Sequence, residues 1–381
     1  MAGWWLVKVA LLSDCYLPRL GGIEVQVRDL ALHLTAAGHE VEVFTATTGP
    51  HGERGGRTLV EDGIRVHRHA LRLPGGIPIN PFAPPEIGRR LRSGGFDVAH
   101  AHLGVVSPFA TDLVPVALEA GLPVAATFHC VIDRAAPAFR ALGHVTRWAD
   151  RGVALSAVSS MAAQRVSSIA AESPVMVLGN GIDVERWRRP PAWPVRDEDG
   201  TVRVVTAMRL VSRKRPLALI EVLRAARSLV DPSIRIQATI LGDGPQRARM
   251  EHRLRSLGLD WVDLPGRVDR EELRHRYWDS DIYLSAARLE AFGIAALEAR
   301  TAGLPIVTMS GTGVEDFVTD GVDGLLADSD VMLAGALAHL IGDTPLRTRI
   351  RDHLHATRPR QAWPSVVEET LAEYTRAGAT Q

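Results

Sequence analysis

Apolar, β-branched runs alternate with amphipathic helical stretches along the whole chain, and no other feature constrains the fold as strongly. A strand that is apolar on both faces needs helices above and below it, so this rhythm predicts mostly parallel sheets covered on both sides. Strands are read at 7–13, 41–46, 64–70, 97–101, 124–128, 152–158 and 175–178, then at 202–207, 235–241, 281–285, 305–309 and 324–327. Residues 25–37 read as a helix because Val27, Leu30, Ala31 and Leu34 recur at helical spacing, and Gly38 ends it. Further helices are read at 216–230, 246–257, 270–279, 292–302 and 331–341. From 179 to 200 the pattern fails at Asn180-Gly181, Pro190, Pro191 and Pro194. A chain of 381 residues suits two domains better than one core. The expected division is a first α/β domain over 1–178, a linker over 179–200 and a second α/β domain over 201–361. Open sheets of this kind bind ligands beyond the carboxyl ends of their strands, which predicts a cleft between the two domains.

Forty-four basic residues balance forty-four acidic ones, which removes the electrostatic argument for a nucleic-acid binder. Two cysteines, Cys15 and Cys130, make no disulfide framework and suit a reducing compartment. The most apolar region, 103–128, is broken by Asp112, Glu119 and prolines, so no spanning helix is expected. Asp14 interrupts the apolar start before any cleavage site. The expected location is cytoplasmic.

Three segments could carry chemistry. Gly21-Gly22 lies between a strand and a helix, where backbone can approach an anion or merely turn tightly. Its spacing is not that of the dinucleotide fingerprint. Arg209 and Lys214 stand after the first strand of the second domain and before its helix, a pairing suited to a diphosphate or to a solvated basic loop. Only two of the forty-four basic residues are lysines, Lys8 and Lys214, so a lysine kept here suggests that a guanidinium would not fit. Glu290-Ala-Phe-Gly-Ile-Ala-Ala-Leu-Glu298 places one carboxylate in a loop and the other on the following helix. Asp279-Ser-Asp281 and Asp328-Ser-Asp330 resemble metal-binding pairs but read as strand and helix starts. The histidine pairs His100/His102 and His67/His69 lack a further ligand cluster, so no metal and no cofactor are expected.

Six elements together carry a resemblance. They are Gly21-Gly-Ile-Glu24, Asn180-Gly-Ile-Asp183, Arg209-Leu with Lys214, Leu241-Gly-Asp-Gly-Pro245, Pro265-Gly-Arg-Val268, and the Glu290 to Glu298 segment continuing to Pro305. In this order the chain resembles the retaining glycosyltransferases of family 4, which have the GT-B fold. The resemblance implies two Rossmann-like domains facing each other across a deep cleft, with the last helix, 362–381, packed back onto the first domain near Trp363. It implies that Gly21 and Gly22 close on the donor diphosphate, that Arg209 and Lys214 bind it, and that Glu298 holds the ribose. Glu290, with Phe292 and Gly293, would contact the donor sugar, Val268 the base, with Asp269 a weaker candidate there, and His129 the transferred sugar. The catalytic set implied is His129, Arg209, Lys214 and Glu290, acting on a nucleotide diphosphosugar without metal.

The acceptor is read from residues 54–92, where eight arginines face three acids around an apolar stretch. Arg68, Arg72, Arg89 and Arg90, with Trp4-Trp5, suit peripheral contact with anionic lipid or a solvated basic face. Within the family the chain is similar to mycobacterial phosphatidylinositol mannoside mannosyltransferases. That similarity implies GDP-mannose as donor and an anionic glycolipid as acceptor, at the inner face of the plasma membrane. Two alternatives stay open: a UDP-sugar donor with a soluble sugar or thiol-precursor acceptor, and a nucleotide-sugar-binding protein or epimerase without transfer.

Overall fold

The computed structural model describes residues 6–19, 21–73, 77–133, 136–193 and 200–380. Its contacts divide the chain into two units, Met1–Gly181 with Gln361–Gln381, and Ile182–Arg360.

The first unit is built from β1 (Lys8–Ser13), α1 (Gly22–Ala36), β2 (Glu40–Thr45), β3 (Arg57–Glu61), β4 (Ile64–Arg68), α2 (Pro84–Ser93) and β5 (Val98–Leu103). It continues through α3 (Pro108–Glu119), β6 (Val124–Phe128), α4 (Ala136–Leu142), α5 (His144–Asp150), β7 (Ala154–Ala157), α6 (Ser160–Ser167) and β8 (Val175–Val177). The sheet order is β3-β4-β2-β1-β5-β6-β7-β8, and every pair is parallel except the hairpin β3–β4. Alternation along β1 explains the two layers. Ala10 and Leu12 pack with Ile87, Phe109 and Leu113 on one face, whereas Val9 and Leu11 pack with Val27, Leu30 and Leu34 on the other.

The second unit opens with a one-turn helix α7 (Val184–Trp187), inside the segment read as linker. Asp183 caps it by accepting from the Arg186 N–H, and Trp187 is buried against Tyr277. Then follow β9 (Thr201–Ala207), a 3-10 turn (Ser212–Lys214), α8 (Pro216–Leu229), β10 (Arg235–Leu241), α9 (Arg247–Ser256), β11 (Val262–Gly266) and α10 (Arg270–Trp278). The unit closes with β12 (Ile282–Ser285), α11 (Ile294–Thr301), β13 (Ile306–Met309), β14 (Gly324–Ala327), α12 (Asp330–Gly342) and α13 (Thr344–Ala356). Its six strands are all parallel, in the order β11-β10-β9-β12-β13-β14.

The last helix, α14 (Trp363–Arg376), returns to the first unit. Trp363, Leu371 and Tyr374 join the core beside α1, and the Arg376 guanidinium donates to the Leu155 carbonyl at 2.6 Å. No helix among the described residues is long and apolar enough to cross a membrane.

Candidate active site

In each sheet the strand order reverses once, and parallel sheets bind ligands at such a reversal, beyond the carboxyl ends of the strands. In the second unit it falls between β9 and β12. The loop after β9 carries Arg209 and Lys214, and the loop after β12 carries Glu290. The Lys214 ammonium pairs directly with the Glu290 carboxylate, each side chain about one-fifth exposed. Arg209 is exposed at the start of the same loop.

This loop is held by a neighbour. The Leu210 N–H donates to the Asp243 carbonyl at 2.9 Å, and the Leu210 carbonyl accepts from the Gln246 N–H at 3.0 Å. Gly242, at φ +134°, lies so close that a Cβ there would stand 1.9 Å from the Met208 carbonyl oxygen. The Leu241-Gly-Asp-Gly-Pro245 motif therefore braces the cationic loop by backbone contact. Arg215 anchors the loop's other end through the Ala286 carbonyl and a paired contact with Asp330, whose carboxyl it holds below the usual range.

Glu290 sits in the loop ahead of α11 and accepts the Gly313 N–H on its backbone carbonyl at 2.9 Å. Gly293 begins the helix at φ +95°, and a Cβ there would be 2.6 Å from Val314 Cγ2. With no side-chain cap at Gly293, the first amides of α11 are left to other partners. Glu298 lies one helical turn in, buried, with Arg270 Nη2 3.7 Å from its Oε1. Burial, and then the charges of Glu290 and Glu298, push the Tyr283 phenol well above its ordinary range. Val268 is half-buried beside Asp269, which caps α10 by accepting from the Glu271 and Glu272 N–H groups.

The first unit has its own reversal, between β1 and β5. Gly21 precedes α1 with extended backbone and no side-chain cap, and Gly22 is its first residue. The Glu24 carboxylate folds back over them, its Oε2 2.4 Å from where a Gly21 Cβ would stand, with Arg19 Nε 3.6 Å from Oε1. The helix dipole draws an anion to this place, and here the chain supplies one. Asp14, after β1, is buried and accepts the Phe109 and Ala110 N–H groups at the start of α3, at 3.0 and 3.1 Å. Burial nonetheless raises its carboxyl to about 6.

His129 follows β6, its N–H donating to the Leu103 carbonyl at 2.8 Å. Its Nε2 lies 2.9 Å from His102 Nδ1, and the Asn180 side chain bonds it as well. Burial lowers its pKa to about 4, opposed by the Asn180 bond, so the imidazole is neutral at pH 7. His102 is pushed well below its ordinary value, and His100 to about 3, by burial first.

Two family models divide this chain between them. The model described as Glycosyltransferase Family 4 matches residues 20–186, and that described as Glycosyl transferases group 1 matches 193–353. A GDP-mannose-dependent alpha-mannosyltransferase of Mycobacterium tuberculosis is 27% identical over 97% of this chain and 96% of its own. The chain belongs to the family 4 glycosyltransferases. A D-inositol 3-phosphate glycosyltransferase of Nocardioides sp. is 28% identical over 94% of this chain and 86% of its own. An Anabaena protein crystallised with UDP and glucose superposes with a TM-score of 0.73 at 17% identity, covering 96% of this chain and 98% of that one, a likeness of fold. Two Rossmann-like α/β domains of the GT-B type are what the two parallel sheets make.

In this glycosyltransferase the expected donor residues of the second unit stand around the strand reversal, Lys214 in the loop after β9, Glu290, Phe292 and Gly293 in the loop after β12, and Glu298 on α11. The basic face needs correction. Arg68 is fully buried, doubly bonded to Glu61 and set over the Tyr16 ring, so it can meet no lipid. It lies on β4, where alternation with Arg65 sends one arginine outward and the other into the sheet. Arg90 is engaged by Glu86 and by the Gly56 carbonyl. Arg72 and Arg89 are exposed, as are Phe82 and Ile77 between them. Trp4-Trp5 lies outside the described residues. His102 was set aside for want of a ligand cluster; its neighbour is instead His129, one strand over. The signal was available: His102 lies opposite Thr127 in the β5–β6 register, and His129, two residues further on, falls on the same side of the chain.

Proposed function

We propose that this glycosyltransferase moves mannose from GDP-mannose to an anionic glycolipid of the phosphatidylinositol mannoside class, with retention at the anomeric carbon. The observation that carries the donor half is the Lys214–Glu290 pair at the β9/β12 reversal, with Arg209 exposed in the same loop. An arriving diphosphate competes with Glu290 for the ammonium and meets Arg209, and the charge that develops on the leaving nucleotide is met by fixed cations and by the amides opening α11. This reading needs no metal or cofactor, since the cations supply what a metal would. Glu290 then turns to the sugar, Glu298 to the ribose, and Val268 to the base. Gly21 and Gly22 close on the diphosphate as Glu24 gives way. His129 stands beside the transferred sugar. The acceptor hydroxyl attacks on the face from which the nucleotide leaves, and its proton passes to the departing phosphate oxygen.

Mannose and GDP are supported by the near full-length similarity to the mycobacterial alpha-mannosyltransferase. The glycolipid is supported by exposed Arg72 and Arg89 with Ile77 and Phe82, a combination suited to anionic lipid at the cytoplasmic face of a membrane. A second reading, a soluble phosphosugar acceptor, is favoured by the inositol phosphate glycosyltransferase at comparable identity. Incubation with radiolabelled GDP-mannose and phosphatidylinositol mannoside vesicles, with UDP-hexoses in parallel, separates the two. Label in an organic-extractable, mannosidase-sensitive product from GDP-mannose alone supports the first reading. Label confined to water-soluble product, or taken only from a UDP-sugar, overturns it.

A further inference from the structure

Two neutral imidazoles can hydrogen-bond only if one offers an N–H and the other a lone pair, so each fixes the other's tautomer. His102 and His129 are such a pair: their ring centroids are 5.2 Å apart, and His102 Nδ1 is 2.9 Å from His129 Nε2. The far side of His129 meets Asn180, which is buried and cannot drift. The next residue, Gly181, is clamped by Gln26 on α1, whose Nε2 donates to the Gly181 carbonyl at 3.1 Å and whose Oε1 accepts the Gly181 N–H at 3.0 Å. Behind it the Trp363 ring leaves no space for a Cβ, which would stand 2.4 Å away.

The direction of the chain follows from these contacts. His102 Nε2 is buried without a protein partner, and a lone pair stranded there costs less than a stranded N–H would. His129 therefore donates from Nδ1 to Asn180, its Nε2 is bare, and His102 donates to it from Nδ1. That leaves the lone pair of His102 Nε2, a buried atom that no protein group bonds. It borders a cavity of about 20 Å³, room for one water, whose mostly apolar lining includes the polar side chains of Gln26, Thr127, Asn180 and Thr370. His100 does not compete, since its two nitrogens are taken by Tyr374 at 3.1 Å and Thr127 at 2.7 Å.

We propose that His102 is a positioning residue for His129, locking it through Nδ1–H···Nε2 in the Nδ1–H tautomer, with one buried water closing the chain at His102 Nε2. Its bearing on transfer rests on the reading of His129 as the residue beside the sugar. A ring fixed in this way carries no charge and has one proton, held by Asn180, which a sugar hydroxyl oxygen can take over. A flipped tautomer would aim a lone pair there instead, and an imidazolium would repel positive charge growing on the sugar ring.

The test uses amides that mimic one ring nitrogen at a time. In His102→Asn the amide stands where Nδ1 was and keeps the donor, whereas in His102→Gln it stands where Nε2 was and loses it; His102→Leu removes both. In protein labelled with 15N-histidine, with the signal assigned by its loss in His129→Gln, long-range 15N–1H spectra should show His129 protonated at Nδ1 and bare at Nε2. His102→Asn should keep that pattern and His102→Gln lose it. Assayed with GDP-mannose and phosphatidylinositol mannoside vesicles, His102→Gln should lower kcat about 10- to 100-fold while His102→Asn stays near wild type. An Nε2–H tautomer in the wild type, or a His102→Gln spectrum unchanged, overturns the proposal. If His129→Ala itself turns over normally, the sugar-side reading falls and the catalytic part of the proposal with it. If His129→Ala is impaired while His102→Gln matches wild type, the positioning role alone is overturned.

Discussion

Lys214 and Glu290 neutralise each other in the structure, and each is the partner the other would leave behind. Removing the lysine takes away a cation aimed at the diphosphate, so Lys214→Ala should lower kcat by roughly 100- to 1,000-fold, as loss of one preorganised donor does, or about 2.7–4 kcal/mol. Glu290→Gln should impair turnover too, while freeing Lys214 to bind product nucleotide more tightly. Titration with GDP and steady-state assay check both, and near-native turnover in either variant would remove the pair from the mechanism. Rarity of lysine pointed to this site, yet the other lysine shows how far such a signal reaches. Lys8 ion-pairs with Glu40 and Glu42 and lies over Phe96, a structural post at the foot of β1. Arg68 carries the same lesson. Charge composition placed it on a basic face, and strand alternation put it inside, over Tyr16, where the Glu61 carboxylate and the Thr47 carbonyl make its burial tolerable. Which face a residue takes is a property of register, which a count of charges does not contain.

At the scale of elements, the strands and helices with strong periodicity were legible, and the reasons for the omissions are physical. β10 and β14 were read with their observed limits, but β11, with Pro265 and Gly266 at its end, has too little β-branched content to stand out. β3 is the polar edge strand RTLVE, and α2 is arginine-rich and exposed on one face, so neither shows an apolar run. α11 depends on Gly293: an alanine would need φ +95° and would press on Val314, so Gly293→Ala should cost about 1–3 kcal/mol and weaken donor binding. Thermal unfolding and GDP titration read the two effects, and a variant unchanged in both would deny the loop its role. α3 depends on Asp14, whose folded-state carboxyl is raised by burial from 3.8 to about 6. The folded chain thus binds this proton more tightly than the unfolded one. The stability this group contributes is fully present below about pH 4, falls as pH rises to about 6, and is flat above, for a total of about 3 kcal/mol. Glu42, lowered to about 2 by His67, has the opposite sign, with stability lost as pH falls from 4.5 to 2. The unfolding free energy of wild type relative to Asp14→Asn should therefore decline between pH 4 and 6. A difference that stays level across that window would mean that Asp14 titrates normally.

For the whole molecule, net charge is zero, so any attraction to an anionic surface must come from local asymmetry rather than from the overall field. The order of the motifs made the family legible, because each sits at or after the carboxyl end of a parallel strand, and within each sheet those ends share one edge. What the motifs do not encode is the acceptor, which depends on surface residues under no such constraint. With Arg68 inside and Arg90 engaged, six arginines of residues 54–92 remain exposed, and three of them, Arg72, Arg89 and Arg92, are near in sequence to the solvent-facing Phe82 at 79% and Ile77 at 50% exposure. Each arginine near an anionic membrane contributes about 1 kcal/mol, so replacing all three by serine should weaken partition onto phosphatidylinositol-containing vesicles on the order of 100-fold. Phe82→Ser should weaken it further by removing the apolar contact, and raising salt should narrow the gap between wild type and the arginine triple variant but not the Phe82 effect. Vesicle sedimentation at two ionic strengths measures all of this. Equal binding by wild type and triple variant at low salt would show that this face meets no lipid, and would move the acceptor question to the soluble phosphosugar.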